Sequence, residues 1–173
     1  MSEKQLRWQL FPKGLPTPDH LLDVIGVFEH NFSSMNSFEN PGQNSNAALD
    51  KVTSGLQKLG YLVETGKKAS EKVFVPVLFG EKGKVTKYFE ADAYSKDLKT
   101  VMEVEAGRAY ANNQFLKDLF QACVMQDVDY CIIATRQIYK KTKDFEKVQN
   151  FLETLYSSNR LQLPLKAILL IGY

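Results

Sequence analysis

Four carboxylates on predicted strands fall within sixteen residues of one another: Glu90, Asp92, Glu103 and Glu105, in the stretch YFEADAYSKDLKTVMEVEAGR from Tyr88 to Arg108. Side chains alternate across a strand, so Glu90 and Asp92 share one face of the first segment. Glu103 and Glu105 share one face of the second, with Met102 and Val104 on the other. Carboxylates aimed from neighbouring strands at one place repel unless a cation, a basic side chain or a shared proton offsets them. Oxygen-only donors select hard ions such as Mg²⁺, Mn²⁺ or Ca²⁺. Surface ion pairs of Glu90 and Glu105 with Lys87 or Lys99 are the simpler account of a lone E-x-E on a strand. The second acidic strand leads through Ala106-Gly107-Arg108 into a helix, and strand ends are where sites are commonly built.

The rest of the chain supplies elements able to hold such strands. Residues 1–16 read as an arm or short strand. Thr17-Pro18-Asp19 predicts a helix start with Thr17 as cap, followed by Leu21, Leu22, Ile25, Phe28 and Phe32 at helical spacing to about 31–33. His20 and His30 lie ten positions apart on this helix, off any common face. The Ser-, Asn- and Gly-rich stretch 33–44 is a loop. A second helix, Ser45 to Leu59, carries Ala48, Leu49, Val52 and Leu56 on one stripe and stops at Gly60. Strands are expected from Tyr61, over Val73–Phe79, Tyr88–Ser95 and Thr100–Glu105. A helix over 109–126 follows, then the apolar strand YCIIAT (130–135), a charged helix near 142–157 and a buried strand at 166–172. Apolar runs of this kind belong at the centre of a sheet covered on both faces. The expected architecture is a mixed sheet flanked by helices, α/β (α+β), in a single domain over 1–173 with 1–33 as arm and first helix.

Composition narrows the function classes. With 22 basic and 20 acidic residues the net charge is +2, which argues against bulk electrostatic DNA packaging. Cys123 and Cys131 make neither a disulfide framework nor a zinc spacing, and their apolar neighbours suggest buried thiols. The opening residues lack the apolar core of a signal peptide, and the longest apolar run is too short to cross a membrane, so a cytoplasmic protein is expected. Phosphate-binding glycine loops, nucleophile elbows and dinucleotide fingerprints are absent, which excludes a nucleotide cofactor.

A helix bearing an acid and ending in Leu59-Gly60-Tyr61, a strand with Asp92, and a following strand with Glu103-Val104-Glu105 together resemble the PD-(D/E)XK, restriction-endonuclease-like nucleases. The resemblance covers about Ala47 to Thr135, including the next helix and the YCIIAT strand. It implies that Asp92 and Glu103 hold the metal and that Glu105 stands at the position usually occupied by lysine. An acid there is similar to the BamHI/BglII branch. Asp50, ten residues before Gly60, matches the helix acid, with Asn46 as fallback.

The expected activity is a Mg²⁺- or Mn²⁺-dependent endonuclease hydrolysing phosphodiester bonds in DNA. Asp92, Glu103, Glu105 and Asp50 would be catalytic, and Asp92, Glu103 and Asp50 the metal ligands. Arg108, Asn112, Asn113 and Gln114, at the entry to the next helix, could reach phosphates or base edges, or simply cap and solvate that entry. Lys67, Lys68, Lys72, Lys82, Lys84 and Lys87 could track a nucleic-acid backbone or be a solvated edge. Duplex cleavage by one site per chain implies a homodimer, through the first helix and arm or through the 142–157 helix. Two other readings compete: an inactive nuclease-fold module binding nucleic acid or protein, and a paired-carboxylate glycosidase. The latter is disfavoured by the compact length, and no aromatic sugar platform is expected near its acids.

Overall fold

The computed structural model describes residues 5–107 and 109–173. Strand β1 (Arg7–Phe11) precedes helices α1 (Asp19–Met35) and α2 (Ser45–Lys58). Next come β2 (Leu62–Val63), β3 (Val73–Phe79), β4 (Val85–Ala91), β5 (Ala93–Ser95) and β6 (Thr100–Glu105). Helix α3 (Gln114–Val124), β7 (Tyr130–Thr135), α4 (Asp144–Ser158) and β8 (Ala167–Gly172) complete the order. The mixed α/β architecture with flanking helices is the one expected.

Six strands form the main sheet in the order β1-β8-β7-β6-β5-β2. β6, β7 and β8 run parallel at its centre, and the outer pairings β1–β8, β5–β6 and β2–β5 are antiparallel. YCIIAT and AILLIG are central because both faces of the sheet are covered, so their apolar side chains are buried on both sides. On one face Met102, Val104, Ile132, Ala134, Leu169 and Ile171 pack against Leu21, Phe28, Val52 and Leu56 of α1 and α2. On the other, Val101, Cys131, Ile133, Ile168 and Leu170 pack against α3, α4 and the valines of β3. The two aliphatic layers hold the acidic strand β6 between them. No helix among the described residues is long and apolar enough to cross a membrane.

Helix ends depart from expectation at α1 and at α3, which begins at Gln114 rather than at 109 and ends at Val124 rather than at 126. Pro18, not Thr17, stands at the cap of α1 and makes no side-chain cap bond; its carbonyl accepts from Leu21 and Leu22 N–H. The helix also runs on to Met35. The Asn44 side chain caps α2 by accepting from Ala47 N–H, and Gly60 turns the chain out of α2 at φ +90°, a conformation open to glycine without penalty.

The segment 88–95 is not one strand. β4 pairs only with β3, as a two-stranded hairpin outside the main sheet, whereas β5 pairs with β6 and β2. Asp92 is the single residue between them. The hairpin leaves the main sheet after β2, and Gln126 at the end of α3 ties it down by donating N–H to the Pro76 carbonyl and its side-chain N–H to that of Val77. Of the cysteines, Cys131 is buried, but Cys123 is only half-buried.

Gly172 closes the core under α4. A Cβ there would meet Phe145 Cδ2 at 2.5 Å and Cγ at 2.9 Å, and Phe145 is fully enclosed. Gly172→Ala is therefore expected to destabilise by about 1–3 kcal/mol, read as a lower urea midpoint. An unchanged midpoint would show that the ring gives way freely.

Candidate functional site

The pleat of β6 sends Met102 and Val104 into the α1–α2 layer and Glu103 and Glu105 to the opposite side. There an open cavity of about 410 Å³ is lined by Asp92, Glu103 and Glu105, with Glu64, Asp118 and Lys117 around them. Asp92 reaches it because the chain breaks between β4 and β5 at that residue. Glu64 N–H donates to the Asp92 carbonyl at 2.8 Å, and Val104 N–H donates to Asp92 Oδ2 at 2.7 Å. The first bond pins the backbone to β2 and the second pins the carboxyl to β6.

The acids perturb one another. Burial pushes Asp92 up to about 6, and Glu64 and Asp118 add to the rise against the opposing Val104 N–H bond. Glu103 lies well above the ordinary glutamate range, through burial first and then the charges of Asp92, Asp118 and Glu105. Glu105 is raised to about 9 by burial and by the Asp118 carboxyl, which faces it closely enough to share a proton. Asp118 is raised as well, again by burial. Among the described residues, positive charge comes from two lysines. Lys117 Nζ lies 3.6 Å from Asp118 Oδ1. Lys72 Nζ lies 3.1 Å from both oxygens of Glu64 and 3.0 Å from Glu90 Oε2, linking the hairpin to β2.

Asp118 was not singled out by the motif, yet it is only 3% exposed. Its Oδ1 receives Gln114 Nε2–H at 3.4 Å, while among the described residues no hydrogen-bond donor reaches its buried Oδ2. The sequence signal is its register: Asp118 falls between Phe115, Leu119 and Ala122 on the buried stripe of α3, where a carboxylate has no reason to be without a partner.

Other expected site residues fall elsewhere. Asp50 is exposed on α2 and does not line the cavity; Ser45 is the α2 residue that does. The reason is helical phase, because burying Ala48, Leu49, Val52 and Leu56 turns Asp50, and Asn46 as well, to solvent. Arg108 lies outside the described residues. Asn112 is exposed, and Asn113 occupies the cap position of α3 at φ 53° without a side-chain cap bond. Gln114 faces the cavity. Glu90 is exposed on the hairpin, yet it lines the same cavity and is held by Lys72.

Backbone around Glu105 is fixed from behind. The Tyr173 hydroxyl donates to the Glu105 carbonyl at 2.8 Å. Buried Arg136 donates to the Ala106 carbonyl at 3.1 Å and to the Asn40 carbonyl at 3.0 Å, joining the end of β6 to the loop after α1.

Among the described residues no three His, Cys, Asp or Glu side chains stand in an arrangement ready to hold a metal ion. The donor chemistry nevertheless fits a hard divalent cation. Every candidate ligand is a carboxylate oxygen, Asp118 Oδ2 lacks a donor, and the raised carboxyls are groups that added positive charge would return to the ionised form. No protein-family model matches the chain, and no curated protein and no solved structure matches it either.

Proposed function

We propose that this chain is a divalent-metal-dependent nuclease that hydrolyses phosphodiester bonds in DNA, with Asp92 and Glu103 as metal ligands. One observation carries the reading: a break between two sheets and the pleat of β6 bring Asp92, Glu103 and Glu105 into one open cavity with Asp118. The order of elements supports it, since α2, β2, β5, β6, α3 and β7 follow in the sequence on which the PD-(D/E)XK resemblance rests.

A Mg²⁺ or Mn²⁺ ion held by Asp92 and Glu103 would supply Lewis acidity toward a phosphate oxygen and lower the pKa of water. The chain's own groups do the rest. Val104 N–H and the Glu64 backbone bond hold Asp92 still, so its carboxyl is presented without rotamer loss. Glu105, beside Asp118, would orient or deprotonate the attacking water. Lys117, at the cavity wall, would offset phosphate charge, while Lys72 neutralises Glu64 and Glu90. Two such chains would be needed to cut both strands of a duplex, so a homodimer belongs to the proposal.

The test is cleavage of plasmid and single-stranded DNA with and without Mn²⁺ by the parent chain, Asp92→Ala and Glu103→Ala. The expected result is metal-dependent cleavage by the parent and loss of it in both variants. Variants as fast as the parent would overturn the assignment. A second reading, an inactive module of this fold, is favoured by Glu105 standing where lysine is usual; it predicts no Mg²⁺-dependent rise in melting temperature.

A further inference from the structure

Residues 67–87 carry six lysines against two glutamates in a chain whose net charge is only +2. These residues form the hairpin of β3 and β4 and its approach. Lys67, Lys68, Lys82, Lys84 and Lys87 are exposed there, and among the described residues no acid pairs with any of the five. The sixth, Lys72, is engaged by Glu64 and Glu90 at the cavity.

The hairpin has two unlike faces. Val73, Val75 and Val77 point inward and join the core beneath α3 and α4. The outer face is open to solvent: Phe74 is 43% exposed and Tyr88 47%, with Glu90 opposite Phe74 in the strand pairing. Phe74 and Tyr88 meet edge to face, ring centroids 6.1 Å apart, and Tyr88 stands opposite Pro76 in the strand pairing. Tyr88 also lines the acidic cavity, so the aromatic face runs directly into the carboxylates.

We propose that the outer face of the β3–β4 hairpin is a platform for unpaired nucleotides, on which Tyr88 and Phe74 stack bases while Lys82 and Lys84, at the hairpin turn, hold the phosphates of the same strand. The occupant follows from charge and shape together. A second copy of the chain would set two lysine-rich hairpins against each other, which like-charge repulsion opposes. A single strand of nucleic acid offers regularly spaced negative charge and flat apolar faces, the two features this surface complements. A closed duplex hides its base faces and would leave the aromatic rings unused. The platform thereby assigns the proposed nuclease a substrate class, strands with unpaired bases beside the scissile phosphate, and it rests on that reading for what happens at the cavity.

Binding is measured apart from cleavage, by fluorescence anisotropy of labelled oligo-dT and of a blunt duplex of equal length, in EDTA, with the full chain. The parent is expected to bind the single strand more tightly than the duplex. Tyr88→Ala should weaken single-strand binding about tenfold or more, and Tyr88→Trp should restore it, as stacking requires. Replacing Lys82 and Lys84 together by alanine should flatten the log–log salt slope by roughly 1.4. Phe120→Ala, an apolar change at a still more exposed position on α3, should leave binding as in the parent. The proposal is overturned if the parent does not bind oligo-dT, if it prefers the duplex with Tyr88→Ala unaffected, or if Phe74→Ala and Tyr88→Ala instead dissociate a dimer seen by sedimentation. Intact platform binding without metal-dependent cleavage would remove the nuclease reading alone. Cleavage that ignores the hairpin variants would remove the platform alone.

Discussion

Replacing Glu103 by glutamine is expected to raise the melting temperature of the metal-free protein while cutting Mg²⁺-dependent cleavage by at least about a hundredfold. Both effects come from one physical situation. Glu103 sits on the central acidic strand among Asp92, Asp118 and Glu105, and burial among them holds its carboxyl well above the usual range. Ionising it at neutral or alkaline pH costs free energy that a neutral amide of the same shape does not incur. Relief on the order of 1–3 kcal/mol is the ordinary scale for removing an uncompensated buried charge, or several degrees in a chain of this size. The catalytic loss follows because the amide keeps one neutral oxygen where the proposed ion needs an anionic ligand. Even outer-shell partners of a metal are worth 10–100-fold, so a direct ligand is worth at least that. Thermal melts at pH 8 in EDTA, beside cleavage assays in Mg²⁺, check the pair. A melting temperature no higher than the parent's would show that Glu103 is not the strained group.

The second large effect is a fall in metal-free stability with rising pH, reversed by divalent cation. Asp92 and Glu105 titrate in the fold at about 6 and about 9, against 3.8 and 4.5 for ordinary side chains. In the unfolded chain both carboxyls lose their protons near pH 4. Between there and pH 9 the folded protein therefore binds more protons than the unfolded one. Stability is full below about pH 4 as far as these groups are concerned, and it is lost as pH climbs through 6 and on toward 9. For Asp92 alone the loss is on the order of 3 kcal/mol. Added Mg²⁺ should recover stability at pH 8–9 and do little at pH 5, where protons already occupy the oxygens. Urea midpoints across that range, with and without Mg²⁺, decide it. A flat profile without metal, or equal Mg²⁺ effects at both ends, would count against a carboxylate cluster in need of a cation.

Much of this architecture could be read from residues. Period-two alternation placed Glu103 and Glu105 on one face of β6, and the unbroken apolar runs marked β7 and β8 as central strands. Asp92 was legible as a partner of Glu103 because only a short turn separates the two strands. What sequence could not show arises from long-range pairing. Nothing in Ala91-Asp92-Ala93 announces that the chain changes sheets there, since neither glycine nor proline marks the break. The cavity's further members, Glu64 on the edge of β2 and Asp118 on α3, depend on where the hairpin and helix dock. Asp50 failed for a local reason: helical phase on α2 was set by four apolar side chains, and the acid lay outside their arc.

The order of strands carries a consequence for solubility. AILLIG and YCIIAT are the kind of uncharged, aliphatic segments that template fibrils when a free margin is offered. In the sheet, β7 is flanked on both sides, and β8 is shielded from further pairing by β1, matched along its length from Arg7↔Gly172 to Phe11↔Ile168. At the opposite margin β2 contributes only Leu62 and Val63, too brief a ledge for another polypeptide to extend. β1 thus serves as a guard rail: peeling it away would uncover the most aggregation-prone stretch of the molecule.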